Sequence, residues 1–430
     1  MSEESQATGM ADQAELTVDE ATEVCLDVVE RCEEAVVVDR SVLFETLSAV
    51  VARGHVLVED VPGTGKTVLA RVLAESLGLG FTRVQFTPDL LPADVTGSNV
   101  YNEHERAFEF AEGPVFTNLV LADEINRAPP KTQAALLESM EEGQVSVDGT
   151  THDLPEPFVV IATQNPVEQE GTFRLPEAQR DRFSVKTAMG YPDVDGEMGL
   201  LDRRANRRSL APSVDPVVGP ETVLALQDLA EDVRVDDKVR RYIIDIARET
   251  RADGRTEIGV SPRGVQRVFE AVRAGAVIAG REYATPDDVK RLASATMAHR
   301  VVLTTEATVE GIDPEQVVSD ALAAVDVPAV SPDAPDPDGR GGGADETQQT
   351  DGSAAARRGG QRAGDQSETG RPENGHPERE GRSRPDREAG DSRSSAGERT
   401  NGERPASERG SDEPSPEEPH PNDQRSDDST

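Results

Sequence analysis

The five residues Gly63-Thr64-Gly65-Lys66-Thr67 constrain this chain more than any other feature. An apolar run, His55–Asp60, precedes them and has the character of a buried strand. Beyond them Leu69, Val72, Leu73 and Leu77 mark one face of a helix that ends near Gly78 and Gly80. A glycine turn between strand and helix lets several backbone N–H groups converge on a phosphate, because glycine alone permits so close an approach. In that pattern Pro62, Gly63, Thr64 and Gly65 wrap the phosphates and Lys66 reaches the outer ones, while the Thr67 hydroxyl sits on Mg²⁺. The full pattern asks for glycine where this chain has Asp60, and the competing reading is an ordinary strand-to-helix turn.

Two later apolar runs end in polar groups. Leu119–Ala122 stops at Asp123-Glu124, and packing alone does not explain a buried strand that closes in two carboxylates. Beside a phosphate loop, Asp123 would hold the Mg²⁺ shell through water and Glu124 would polarise an attacking water. Taken alone, the pair reads equally well as a solvated strand end ahead of a helix. The run Phe158–Thr163 leads into Gln164-Asn165-Pro166, where an amide at a strand tip can hold a water or a terminal phosphate in line. In isolation that tripeptide is a turn.

Further strands are expected at Arg83–Phe86 and Ser184–Thr187, with helical periodicity between most of the strands, so the first part of the chain reads as α/β with a parallel sheet covered on both faces. Asp148-Gly149 between Gln144–Val147 and Thr150–His152 predicts a hairpin, and the alternation around Val100 and Ala107–Phe110 predicts a weaker one. After Tyr191-Pro192 the strand signals largely give way to helical periods near 220–231, 236–252, 262–280, 286–300 and 314–325. The expected organisation is a polar lead-in (1–16), an α/β nucleotide-binding domain (17–190), a helical domain (191–328) and a disordered acidic tail (329–430). The tail follows from composition: after Val330 there is no Leu, Ile, Val, Met, Phe, Tyr or Cys, so nothing offsets the entropy of ordering it.

Charge excludes some classes. The chain carries a formal net charge of −38, and an acidic surface opposes sequence-independent binding to nucleic acid. No apolar run approaches the roughly 18 residues of a spanning helix, and the first residues lack the basic start and apolar stretch of a signal peptide. A cytoplasmic protein is the expectation. Forty of the 45 basic residues are arginine, and an acidic, lysine-poor composition suits high salt. Cys25 and Cys32 share a helical face with Val28, Val29 and Val36 and read as small core residues, and the six histidines show no metal-ligand spacing.

The stretch Gly113–Phe183, together with FTPDLLPADVTG at 86–97 and VSPRGVQ at 260–266, resembles the MoxR family of AAA+ ATPases. The resemblance covers about residues 25–325. It implies a parallel-sheet P-loop domain with a C-terminal all-helical lid, ATP and Mg²⁺ as cofactors, and a homo-oligomeric ring, expected to be a hexamer, with each nucleotide between neighbouring subunits. It also implies a chaperone-like activity that remodels or matures protein clients, often ones with a von Willebrand A domain. On this pattern Gly63–Thr67 match the Walker A loop, Asp123 and Glu124 match Walker B, and Asn165 matches sensor 1. Arg182 falls at the arginine finger that reaches a neighbour's γ-phosphate, and Arg263 falls at the sensor-2 position of the lid. The two hairpins correspond to insertions that line the pore or substrate face. Arg174 and Arg180 depart from the family pattern and leave the finger assignment open, while Val38-Asp39-Arg40 departs from it near the adenine. Each arginine also reads as a surface ion pair. The rival functional class is a nucleic-acid-dependent AAA+ motor, disfavoured by the acidic core and by Arg106 being the only base on the expected hairpins.

Overall fold

The computed structural model describes residues 16–166, 171–173, 175–206 and 212–330. The chain divides into units spanning Met1–Glu346 and Thr347–Thr430, and every described residue belongs to the first. The expected lead-in (save Leu16) and the expected tail beyond Val330 therefore lie outside the described residues.

The chain opens with α1 (Val18–Ala35), α2 (Arg40–Val51), β1 (Val56–Glu59), α3 (Lys66–Ser76) and β2 (Phe81–Gln85). Next come α4 (Pro92–Thr96), the hairpin β3 (Gly97–Asn102) and β4 (Ala107–Glu112), β5 (Leu119–Asp123) and α5 (Pro130–Glu142). The second hairpin, β6 (Gln144–Val147) and β7 (Thr150–Asp153), leads to β8 (Val159–Gln164), α6 (Glu177–Arg180) and β9 (Val185–Thr187). Local signals set several boundaries. Thr17 and Glu20 form the expected capping box, in which the Glu20 carboxylate accepts from the Thr17 N–H at 3.0 Å. Pro286 begins its helix behind a second box, Thr285 with Asp288.

Five strands make one parallel sheet in the order β2-β5-β8-β1-β9. Alternation divides its faces. Val56, Val58, Leu119, Leu121, Val159 and Ile161 face a core built with α1, α2, α3 and the helices after residue 220. Leu57, Val120, Ala122, Val160 and Ala162 face a second core with α5 and the hairpins. Both faces are covered, which is why these strands are apolar throughout. Cys25 and Cys32 are buried in the first core, as their helical spacing predicts.

The rest of the described chain comprises α7 (Val194–Asn206), α8 (Pro220–Asp232), α9 (Asp237–Ala252), β10 (Thr256–Ile258), α10 (Pro262–Ile278), α11 (Pro286–Met297), β11 (Val302–Leu303), α12 (Thr305–Val309) and α13 (Pro314–Ala324). A 3₁₀ turn, Ala298–Arg300, follows α11. The helices near 220, 237, 262, 286 and 314 fall where periodicity places them. The antiparallel β10–β11 ribbon and α7 are additions to that reading. Strands of three and two residues are too short to show alternation, and α7 buries none of its residues, so its sequence carries no core-facing period.

Candidate active site

The sheet order builds the site. β8 lies between β1 and β5, so the loop after β1, the Asp-Glu end of β5 and the amide end of β8 emerge side by side. The chain leaves β1 and returns at the far edge as β2, which opens a crevice beyond the carboxyl ends of the strands. A cavity of about 310 Å³ occupies that crevice, lined by Pro62, Gly63, Gly65, Lys66, Thr67, Asp123, Glu124 and Asn165 among others. Contiguous motifs from three strands therefore converge as the sequence predicts.

Gly63 and Gly65 have φ of 88° and 98°, a left-handed region open to glycine, so the turn cannot carry ordinary side chains there without strain. A Cβ on Gly63 would meet nothing within 4 Å, and the loop backbone thus presents a bare, open concavity. The Lys66 ammonium donates to the carbonyls of Asp60 at 2.8 Å and Val61 at 2.6 Å. Burial lowers its pKa, against the opposing pull of Asp60, Asp123 and Glu124.

Asp60, which stands where the phosphate-loop pattern has glycine, carries a function its sequence position does not announce. Its carboxylate accepts from the N–H of Val61 at 2.7 Å and from those of Met189 and Gly190 at 3.1 and 2.9 Å. The buried side chain ties the phosphate loop to the segment leaving β9. No short-range signal in the sequence shows such a link across 130 residues.

The two carboxylates are held by β2, by β8 and by the turn that follows β5. Asp123 accepts from Arg83 Nε and Nη2 at 3.0 and 2.7 Å and from the Thr163 hydroxyl at 2.6 Å. Glu124 accepts from Gln85 at 2.6 Å and Arg127 at 2.9 Å, and its N–H donates to Thr163 Oγ1 at 2.8 Å. Arg83 in turn donates to Gln85 at 2.7 Å. Glu124 lies in the left-handed region at φ 56°, a strained conformation of order 1–3 kcal/mol that the surrounding bonds hold in place. Arg83, Gln85, Arg127 and Thr163 thus join the site unannounced. The available signal is the alternation of β2, where Arg83 and Gln85 share a face opposite the buried Val84.

The donor set fits a nucleotide with Mg²⁺. A threonine hydroxyl and one carboxylate are few protein ligands, and Mg²⁺ characteristically retains waters and phosphate oxygens beside one or two carboxylates. Asn165, buried at the tip of β8, lines the same cavity.

The two expected catalytic arginines do not line that cavity. Arg182 Nη2 lies 3.0 Å from Glu141 at the end of α5, and Arg263 Nη2 lies 2.5 Å from the other oxygen of the same carboxylate. The structure therefore brings Arg182 and Arg263 together through Glu141, at a second locus of their own chain. Arg174 lies outside the described residues.

Comparisons with known proteins agree with this geometry. The ATPase family associated with various cellular activities (AAA) matches residues 55–185, and the AAA lid domain matches residues 248–321. The uncharacterized protein YeaC of Bacillus subtilis is 48% identical over 300 residues, covering 70% of this chain and 93% of that protein. Chaperone MoxR1 of Mycobacterium tuberculosis is 39% identical, over 66% of this chain and 77% of its own. Protein MoxR of Paracoccus denitrificans is 34% identical, over 66% and 90%. The crystal structure of a candidate ATPase from Cytophaga hutchinsonii superposes with a TM-score of 0.68 at 37% identity, covering 73% of this chain and 97% of that one. With the parallel sheet, the phosphate loop and the lid in place, these similarities show that the chain belongs to the MoxR family of AAA+ ATPases.

Proposed function

We propose that this protein hydrolyses ATP with Mg²⁺ and uses the turnover to remodel or mature partner proteins in a chaperone-like role. The observation that carries the reading is the convergence of Gly63–Thr67, Asp123, Glu124 and Asn165 on one cavity of about 310 Å³. The Walker A backbone N–H groups and Lys66 bind the phosphates. Thr67, and Asp123 through water, would hold Mg²⁺, which would supply neutralising charge to the phosphates. Glu124 takes up the proton of the attacking water, and Asn165 orients that water. Arg182 and Arg263, gathered at Glu141 away from their own cavity, serve the nucleotide of a neighbouring subunit in a ring, for which a hexamer is the expected size.

The client reading rests on the hairpins. Tyr101 and Phe108 form an edge-to-face pair 5.4 Å apart and are 50% and 72% exposed on β3–β4. Asn99 donates to Asp148 at 2.8 Å and Phe110 stacks on His152 at 3.8 Å, so the two hairpins are joined. An exposed aromatic pair flanked by Glu103, Glu105 and Glu109 suits a polypeptide better than a polyanion, which disfavours the nucleic-acid motor. The name of the mycobacterial relative supports the chaperone role, and a von Willebrand A domain protein remains the proposed client class. Among the described residues no helix is long and apolar enough to cross a membrane. A cytoplasmic, salt-adapted protein is proposed on the charge, with 191–328 acting as the lid.

The deciding experiment is Mg²⁺-dependent ATP turnover by the full chain and its Glu124→Gln variant. Turnover lost in the variant with ATP binding retained supports the reading, and equal turnover in both excludes it. Affinity capture with the same variant, followed by identification of retained proteins, tests the client class. Unfolding measured from low to molar NaCl tests salt adaptation, which a fall in stability with salt would refute.

A further inference from the structure

Arg300 is among the most buried charges described in the molecule, its side chain 2% exposed in the 3₁₀ turn after α11. A buried guanidinium is costly unless its donors are satisfied. These donors converge on one short segment. Nε donates to Asp181 Oδ1 at 2.7 Å, while Nη2 donates to the carbonyls of Asp181 at 3.3 Å and Phe183 at 2.7 Å. Nη1 donates to the Ser184 carbonyl at 3.4 Å and to that of Thr296. The fork therefore grips the backbone on both sides of Arg182 and the carboxylate just before it. Burial lowers the pKa of Arg300 to about 10, so the grip keeps its charge at neutral pH.

A second element makes room for it. A Cβ on Gly264, in the first turn of α10, would lie 2.7 Å from Arg300 Cδ and 3.2 Å from its Nε. Gly264 follows Arg263, which reaches Glu141 beside Arg182. The segment carrying Arg182 is thus fastened to the matched lid region by Arg300, and the passage for that side chain exists because residue 264 has none.

We infer that Arg300 is the positioning residue of the arginine finger: it fixes residues 181–184 to the lid, so that Arg182 is presented to a neighbouring nucleotide only when the lid of its own subunit is in place. This rests on the reading of Arg182 as a finger acting between subunits. Lid position in one subunit then sets how Arg182 is presented to the nucleotide of the next.

Mixed assemblies of full-length chains test it. Donor chains carry Lys66→Ala, which disables their own cavity and leaves their finger. Acceptor chains carry Arg182→Ala, which keeps the cavity and removes the finger. Each alone is expected to be inactive, and the mixture to recover turnover where a donor finger meets an acceptor cavity. Arg300→Met added to the donor should lower the recovered turnover at least tenfold, with the KM for ATP changed less than twofold. Added to the acceptor, the same substitution should leave it unchanged. A merely structural role would act equally in both chains. Equal losses in the two, or no loss in the donor, overturns the inference. If the plain mixture recovers nothing, the finger reading of Arg182 fails and the inference falls with it, a result distinct from failure of Arg300 alone. Should Arg300→Met prevent folding, Asp181→Asn in the donor decides by the same asymmetry, and Arg300→Lys, which keeps the charge without the fork, should not rescue.

Discussion

The nucleotide cavity and the arginine cluster at Glu141 are both charged, partly buried and made of hydrogen-bonded side chains, yet they are built in opposite ways. In the cavity, each polar group stands at the tip of a strand within a contiguous motif, and neighbouring strands align three such tips. In the cluster, Glu141, Asp181, Arg182, Arg263 and Arg300 come from α5, the segment after α6, α10 and the turn after α11. The first needs only a correctly ordered sheet. The second exists only when sheet and lid are packed together. Binding of nucleotide can therefore belong to the α/β part alone, while the proposed stimulation of hydrolysis depends on how the lid sits.

The largest expected effect would break this comparison outright. Arg182→Ala should lower kcat by about 10³-fold or more, the scale of an arginine finger, with nucleotide affinity preserved, measured by steady-state turnover and direct binding. A loss of binding instead would place Arg182 in its own chain's cavity. Next in size, Glu124→Gln should lower kcat by about 10²- to 10⁴-fold through loss of the general base, also with binding retained. Only the Arg182 defect should be repaired by mixing with Lys66→Ala chains, since Glu124 acts within its own subunit.

The same contrast governs what the sequence makes legible. Gly63–Thr67, Asp123-Glu124 and Asn165 are read directly because strand, turn and polar tip are adjacent in the chain, and the sheet follows from alternating apolar runs. Gln85 and Arg83 are half-legible, since their shared face on β2 is visible but their proximity to Glu124 and Asp123 depends on β2 lying next to β5. Arg300 and Glu141 have no local signature, because ion pairs between segments more than 100 residues apart arise from packing alone. Arg182 and Arg263 are found only through family resemblance, which puts Arg182 at the finger and leaves open whether Arg174 or Arg180 takes that part instead.

Asp60 sharpens the comparison, since it belongs to the cavity and yet reaches toward the lid connection through Met189 and Gly190. Asp60→Gly restores the common phosphate-loop glycine. If the loop alone determined affinity, the change would be neutral or favourable. Loss of three charge-assisted hydrogen bonds, two of them to the partly exposed segment after β9, instead predicts about tenfold weaker nucleotide binding. Titration of a fluorescent ATP analogue distinguishes the two, and unchanged or tighter binding would remove Asp60 from the argument.

The smallest effect is shared by both regions, because each rests on a buried histidine. His55 Nδ1 accepts from the Val160 N–H at 3.1 Å and its Nε2 lies 3.0 Å from the Met140 carbonyl, an arrangement for a neutral ring, and burial lowers its pKa to about 4. His299 packs against the Phe183 carbonyl, and burial followed by the charge of Arg300 holds its pKa well below the ordinary value. Both would titrate near pH 6.5 in the unfolded chain. Depressed native values mean that the unfolded chain binds protons the native one refuses. Their neutral burial is therefore without penalty above pH 6.5, and stability falls as the pH drops from 6.5 toward 4. At about 1.4 kcal/mol per pH unit, lowering the pH from 7 to 5 should remove about 2 kcal/mol through His55, with a further loss in the same direction from His299, measured by urea unfolding. A stability unchanged over that range would mean that neither ring is buried neutral.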